Sequence, residues 1–310
     1  MKDIRTDAEV QTELLKRRRF LTGAGGAGLA AAAALVLPGK ANALIPSVTT
    51  ANPKELDNTS GDTVVQILTD ALIAEDLATT FYYFGLVGPV IQDPNLAGPG
   101  GKATAVGPGG NQGNVNYIQA ALYQEIEHAN LLRALISGAN PGTDPVQTFY
   151  LPTGTFNSLA SFTSVLNALE SAFIGAYLAA TLEFAQMACD SRAGGVRQSS
   201  ATGSLYSSST LEYLAQLSAS IMGVECEHRV LGRDLSSSNP ANNVTFEQTD
   251  GIATVNNGGT SAVTALTPFL GPGAGMTAYS YRTAMAGSPY VYLKTAGAAP
   301  PVPPVRQDGQ

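Results

Sequence analysis

Four stretches of this chain place apolar residues at the three- and four-residue intervals of a helix, and long polar segments rich in glycine and proline separate them. The first runs from Asp62 to about Leu86, with Val65, Leu68, Leu72, Leu77 and Phe81 in step and Gly61-Asp62-Thr63 as its cap. The second runs from Val115 to about Ser137 and stops at Gly138, with Pro141 just beyond. The third, Ser158 to Ser191, is rich in Ala, Leu and Phe and closes at Gly194-Gly195. The fourth spans Thr210 to Leu235, with Ser209-Thr210-Leu211-Glu212 as a capping sequence. The pattern predicts an all-α four-helix bundle over residues 62–238.

The connections carry their own information. Gly88 to Gly113 holds four prolines and eight glycines and reads as a long loop, the kind that is usually functional or mobile. Residues 139–157 form a second connection containing Pro141, Pro145 and Pro152. Residues 44–61 read as an extended lead-in, and residues 239–310 as an irregular C-terminal extension wrapping the bundle. That extension has β-leaning pieces at Val244–Phe246 and Tyr290–Leu293 and a proline-rich tail at Pro300–Pro304.

Composition supports a packed core. The chain is 44% hydrophobic and 13% charged, against about a quarter charged in an average domain. This excludes a disordered chain, which needs low hydrophobicity and high charge. The net charge is -7, and residues 1–43 hold seven of the 17 basic groups but only four of the 24 acidic ones. The rest of the chain is therefore strongly acidic and lacks the basic stripe that nucleic acid requires.

The basic start has a purpose of its own. Arg17-Arg18-Arg19-Phe20-Leu21 precedes an apolar run to Leu37, then Pro38 and Ala41-Asn42-Ala43. A basic start, a short apolar middle and a small-x-small end make an export signal, and the paired arginines look like the twin-arginine class. Residues 1–43 are expected to be a signal peptide that directs the chain to the periplasm or another extracytoplasmic space. The other reading is a membrane anchor, but the run is short for spanning and broken by glycines. No stable anchor is expected after cleavage.

The candidate chemistry lies in a repeated tetrapeptide. Both histidines of the chain close a Glu-x-Glu-His: Glu125-Ile126-Glu127-His128 and Glu225-Cys226-Glu227-His228. Residues three apart on a helix share a face, so Glu125 with His128 and Glu225 with His228 each offer a carboxylate and an imidazole together. A dinuclear carboxylate site in a four-helix bundle needs two such pairs and one Glu from each of the other two helices. In the first helix the candidate is Glu75, with Asp70 and Asp76 as rivals. In the third it is Glu170, with Glu183 in reserve, because the two lie about 220° apart around the helix.

Four carboxylates around two divalent cations sum to zero, and oxygen ligands with two imidazoles suit two iron ions or two manganese ions. A single Glu-x-x-His is ordinarily a solvated helix face; the weight lies in the same offset occurring twice, on alternate helices of four. Glu127 and Glu227 are expected to face outward or to back the ligands. Tyr82, Tyr83 and Tyr177 read either as packing or as donors near the site. Cys226 lies level with Glu170, while Cys189 is 19 residues beyond it, about 28 Å along a helix. No internal disulfide is expected, and both thiols are expected to be buried.

These residues resemble the ferritin-like superfamily, and more closely the exported ferritin-like proteins that include plant desiccation-related and fungal stress-response members. The resemblance rests on Glu75 with Phe81-Tyr82-Tyr83, Glu125 to His128, Glu170 with Gly175-Ala176-Tyr177, and Glu225 to His228. It implies a ferritin-like four-helix bundle with a long crossover, and metal ligands at Glu75, Glu125, His128, Glu170, Glu225 and His228. It departs from ferritin in the long 88–113 loop and the C-terminal part, which argue against assembly into a ferritin-type cage.

Two functions follow as expectations. One is redox chemistry on dioxygen or peroxide, such as iron oxidation or peroxide removal. The other is a non-catalytic stress protein whose metals only hold the bundle together. A haem carrier is disfavoured, because no histidine is spare and no Cys-x-x-Cys-His occurs. A homo-oligomer is allowed by the pattern but not required by it.

Overall fold

The computed structural model describes residues 62–87, 91–136, 144–192, 206–236 and 265–287. The expected signal peptide at 1–43, the expected lead-in, Gly138, Gly194-Gly195, the β-leaning pieces and the proline-rich tail lie outside the described residues. Four long helices dominate: α1 (Val64–Val87), α2 (Gln112–Ile136), α3 (Leu159–Arg192) and α4 (Ser208–Leu235). Each begins where a short polar side chain can accept from an otherwise unpaired amide. Thr63 and Gln66 cap α1 reciprocally, Asn111 accepts from Asn114 N before α2, and Ser158 accepts from Ser161 N before α3. The α4 cap is Ser207, which accepts from Thr210 N at 3.1 Å, two residues ahead of the expected Ser209.

α1 packs along α2 and α3 along α4, and contacts between α1 and α3 and between α2 and α4 close the bundle. The core is split into two apolar clusters along its length. α1 enters the second cluster with Val64 to Leu72 and leaves through the first with Leu77 to Leu86. α2 runs the other way, from Val115 and Leu122 in the first cluster to Ala129 and Leu132 in the second. α3 runs the same way as α2, from Leu159 to Ala188, and α4 returns from Leu211 to Leu235. The order is therefore up, down, down, up, and the chain must travel back the length of the bundle between Ile136 and Leu159. This is the long crossover of an all-α ferritin-like bundle.

The candidate ligands sit where each helix passes from one cluster to the other: Glu75, Glu125 with His128, Glu170, and Glu225 with His228. α3 is long and apolar enough to cross a membrane by length and composition. A little over half of that apolar stretch, 56%, is buried inside the bundle, where α3 packs against α4 and α1.

The crossover and the C-terminal extension are more ordered than their composition suggested. Thr148–Pro152 forms strand β1, and Met276–Ser280 forms β2, paired antiparallel with Phe149 opposite Tyr279. Aromatic and β-branched residues in both pieces suit a pleated ribbon. Residues 281–287 then form a short helix, α5, that buries Tyr281 and Ala284 against α1. The expectation of irregular structure is thus corrected over the described 265–287. Pairing with β1 satisfies one edge of the β2 backbone, and the aromatic ring of Tyr279 packs on Phe84 and Phe156.

Two further expectations change. Neither cysteine is in a disulfide, as expected, but the thiols are not both buried: Cys189 is exposed and Cys226 half-buried. The part of the 88–113 loop that is described is closely folded. Gly107 N donates to Ala97 O, Asn111 N to Leu96 O, and Gln119 of α2 holds Ala103 O at 2.6 Å.

Candidate metal centre

All six side chains singled out from the sequence meet at the mid-bundle changeover. They form two overlapping groups, Glu75, Glu125, His128 and Glu225, and Glu125, Glu170, Glu225 and His228. Within each group the ligand atoms lie within 4.8 Å of one another. Glu125 and Glu225 belong to both groups, the placement of carboxylates that bridge two ions. His128 Nδ1 is 3.3 Å from both Glu75 Oε2 and Glu225 Oε1, and 3.7 Å from Glu125 Oε2. His228 Nδ1 is 2.9 Å from Glu125 Oε1 and 3.5 Å from Glu225 Oε2.

Two tyrosines complete the surroundings. Tyr82 of α1 donates to Glu170 Oε1 of α3 at 2.6 Å, and Tyr177 of α3 donates to Glu75 Oε1 of α1. Each tyrosine follows a glutamate by seven residues on its own helix and serves the glutamate of the other. Tyr83 instead packs its ring against Phe84 and its hydroxyl against Gly287 of α5.

Five buried carboxylate oxygens of these six side chains receive no hydrogen bond of good geometry: both of Glu125, both of Glu225 and Glu170 Oε2. Orphaned buried acceptors cost free energy, and pooling them beside two imidazoles is the arrangement that cations stabilise. Without a cation the site must hold protons. Burial, and then the nearby Glu225 charge, push the carboxyls of Glu75 and Glu170 well above the ordinary range. Burial opposes ionisation of Glu125 too, but the His228 imidazole outweighs it and its carboxyl is held well below the ordinary range. Both imidazoles are pushed up: burial disfavours their charge, and Glu75 at His128 and Glu125 at His228 override it. The oxygen- and nitrogen-donor set therefore fits metal ions.

The rival carboxylates are elsewhere. Asp70, Asp76 and Glu183 contribute no atom to either group. Asp76, one residue beyond Glu75 and about 100° around the helix, accepts from Arg133 Nη2 at 2.8 Å. Arg133 also pairs with Asp144 of the crossover at 2.7 Å and donates to the hydroxyl of Tyr281 on α5. This buried network was missed in the sequence. Its one signal was a lone Asp in the most apolar stretch of α1, facing away from the ligands. Glu227 is exposed, and Glu127 is half-buried beside Asn130.

An up-down-down-up bundle with a mid-length carboxylate and histidine cluster defines the ferritin-like class. Residues 63–203 match the family model described as ferritin-like domain, so the chain carries a ferritin-like domain. The match takes in α1 to α3 and ends before α4, which supplies Glu225 and His228. No curated protein and no solved structure matches the chain significantly.

Proposed function

We propose that this chain is an exported metalloprotein in which Glu75, Glu125, His128, Glu170, Glu225 and His228 hold two iron ions, or two manganese ions, for redox chemistry on dioxygen or peroxide. The observation that carries the reading is the set of five buried carboxylate oxygens without a hydrogen bond of good geometry, gathered around two imidazole nitrogens. Glu125 and Glu225 would bridge, Glu75 with His128 would hold one ion, and Glu170 with His228 the other. Such a pair supplies one-electron steps and Lewis acidity when bound. The chain's own part is to neutralise two divalent cations with four carboxylates and to fix the outer pair, Glu75 and Glu170, through Tyr177 and Tyr82. Apolar clusters flank the centre on either side, and His128 is the one ligand of the six that is not buried.

The arginine-rich start supports export by the twin-arginine route, with residues 1–43 as signal, 44–61 as lead-in, 62–238 as bundle and 239–310 as extension. Metal analysis of protein purified from its native compartment tests the centre. About two ions per chain are expected, falling towards zero in His128→Ala with His228→Ala. Peroxide consumption and Fe²⁺ oxidation by the purified protein test the redox role.

A second reading is a stress or desiccation-related protein whose metals only stabilise the bundle. It is favoured by the burial of five of the six ligands, which leaves little room for a substrate. Loss of stability in the histidine variants, with no turnover by the wild-type protein, would select it.

A further inference from the structure

The two halves of the centre use the same residue types but differ in what lies behind the imidazoles. His228 is straddled by consecutive side chains of α2: Glu125 Oε1 lies 2.9 Å from Nδ1, and Gln124 Oε1 lies 2.8 Å from Nε2. An amide oxygen only accepts. The proton of a neutral His228 is therefore held on Nε2, and the Nδ1 lone pair is turned toward the carboxylates. A second partner that fixes tautomer and ring orientation in this way strengthens a metal-ligating histidine.

The other copy of the repeat lacks this partner. The position of Gln124 in Gln124-Glu125-Ile126-Glu127-His128 is taken by Val224 in Val224-Glu225-Cys226-Glu227-His228. Valine has no acceptor. The His128 side chain is also 12% exposed, against 3% for His228. His228 is held at both ring nitrogens before any ion arrives; His128 is held at Nδ1 by the carboxylates and must leave water when it binds an ion.

We propose that Gln124 is a positioning residue that makes the two metal positions inequivalent. The position between Glu170 and His228 fills first and tightly, and the position between Glu75 and His128 fills second and exchanges with solvent. This rests on the metal-centre reading above.

Titration of chelator-stripped full-length protein with Co²⁺, followed by calorimetry and visible absorbance, tests it. The wild-type protein is expected to bind in two resolved steps. Gln124→Val weakens the tighter step by about 10- to 100-fold and leaves the weaker one unchanged. Gln124→Glu, which keeps an acceptor, retains the tight step, and Glu170→Gln weakens that same step and so assigns it. Thermal melting of the metal-free variants checks folding, and Gln124→Met carries the same test if Gln124→Val does not fold. Two equivalent sites in the wild type, a Gln124 variant that changes neither step or both alike, or a Glu170→Gln effect on the other step would overturn the inference. If wild-type protein takes up no Co²⁺, the metal-centre reading fails first.

Discussion

The hydroxyl of Tyr82, on α1, donates a 2.6 Å hydrogen bond to Glu170, on α3, and not to Glu75 about two turns back on its own helix. Tyr177 mirrors it by donating to Glu75. The pair straps together, across the centre, the two helices that each supply one ligand glutamate, so ligand geometry and bundle packing depend on the same two bonds.

Removing either strap leaves a buried carboxylate oxygen without its donor. Tyr82→Phe and Tyr177→Phe are each expected to cost about 1–3 kcal/mol of metal-free stability. Urea unfolding in the presence of a chelator measures this. Unchanged midpoints in both variants would mean that the bonds contribute nothing to the fold.

Arg133 is the buried cation of a network joining α1, α2, the crossover and α5. Arg133→Met strands Asp76 and Asp144 in the interior, so a loss of about 3–5 kcal/mol is expected. Hydrogen exchange should also rise in 276–287, because Tyr281 loses its anchor. Denaturant unfolding with amide exchange reads both effects, and a variant as stable as wild type would contradict the assignment.

The metal-free protein should be most stable in mild acid. Glu75 and Glu170 have folded values raised above the ordinary 4.5, by burial first and the Glu225 charge next, so the folded state holds more protons than the unfolded one. Stability then falls as pH rises. His128 and His228 act in the same direction: Glu75 and Glu125 override burial and raise them above 6.5, so their contribution is complete below 6.5 and is lost as pH climbs through the raised values. Glu125 is opposite, since its lowered value withdraws stability only in strong acid. Thermal midpoints in chelator should therefore drop from pH 6.5 upward. In saturating metal the trend should flatten or reverse, because the ligands bind deprotonated, and an ion at 100 times its Kd adds about 2.7 kcal/mol. A chelated midpoint that rises with pH across this range would contradict the ionisation scheme.

Gly85 of α1 lies directly against Phe162 of α3. A Cβ there would lie 2.6 Å from the Phe162 ring, which stacks on Phe81 with centroids 4.6 Å apart. Gly85→Val should therefore cost about 1–3 kcal/mol through overpacking, with far-UV helicity retained. A melting point equal to wild type would show that the ring yields freely.

Much of this was legible in the sequence because it is local. Apolar spacing located all four helices to within three residues at each end, and Glu-x-x-His placed two ligands on one face of α2 and of α4. The angle showed that Glu75 and Asp76, or Glu170 and Glu183, cannot both face the site; Glu75 could be preferred as the one Glu of its helix, with Tyr82 seven residues on, and Glu170 by its more apolar surroundings. The β1–β2 ribbon was not legible, since five-residue strands become stable only by pairing, here across more than 120 residues. The expectation of buried thiols failed for a related reason: Cys189 lies on an apolar helix, but the side that faces water is set by how that helix is rotated in the bundle.

The sequence by itself determined which groups this protein can bring to a centre: two imidazoles, four carboxylates and the helices that carry them at fixed turns. The tertiary structure decided their partners. Helix direction made Tyr82 serve Glu170, took Asp76 to Arg133, and set Gln124 behind His228 while Val224 holds the matching place in the repeat. Spacing along one helix fixes an angle, but contact between helices depends on their order, direction and rotation, which only burial of the whole core selects.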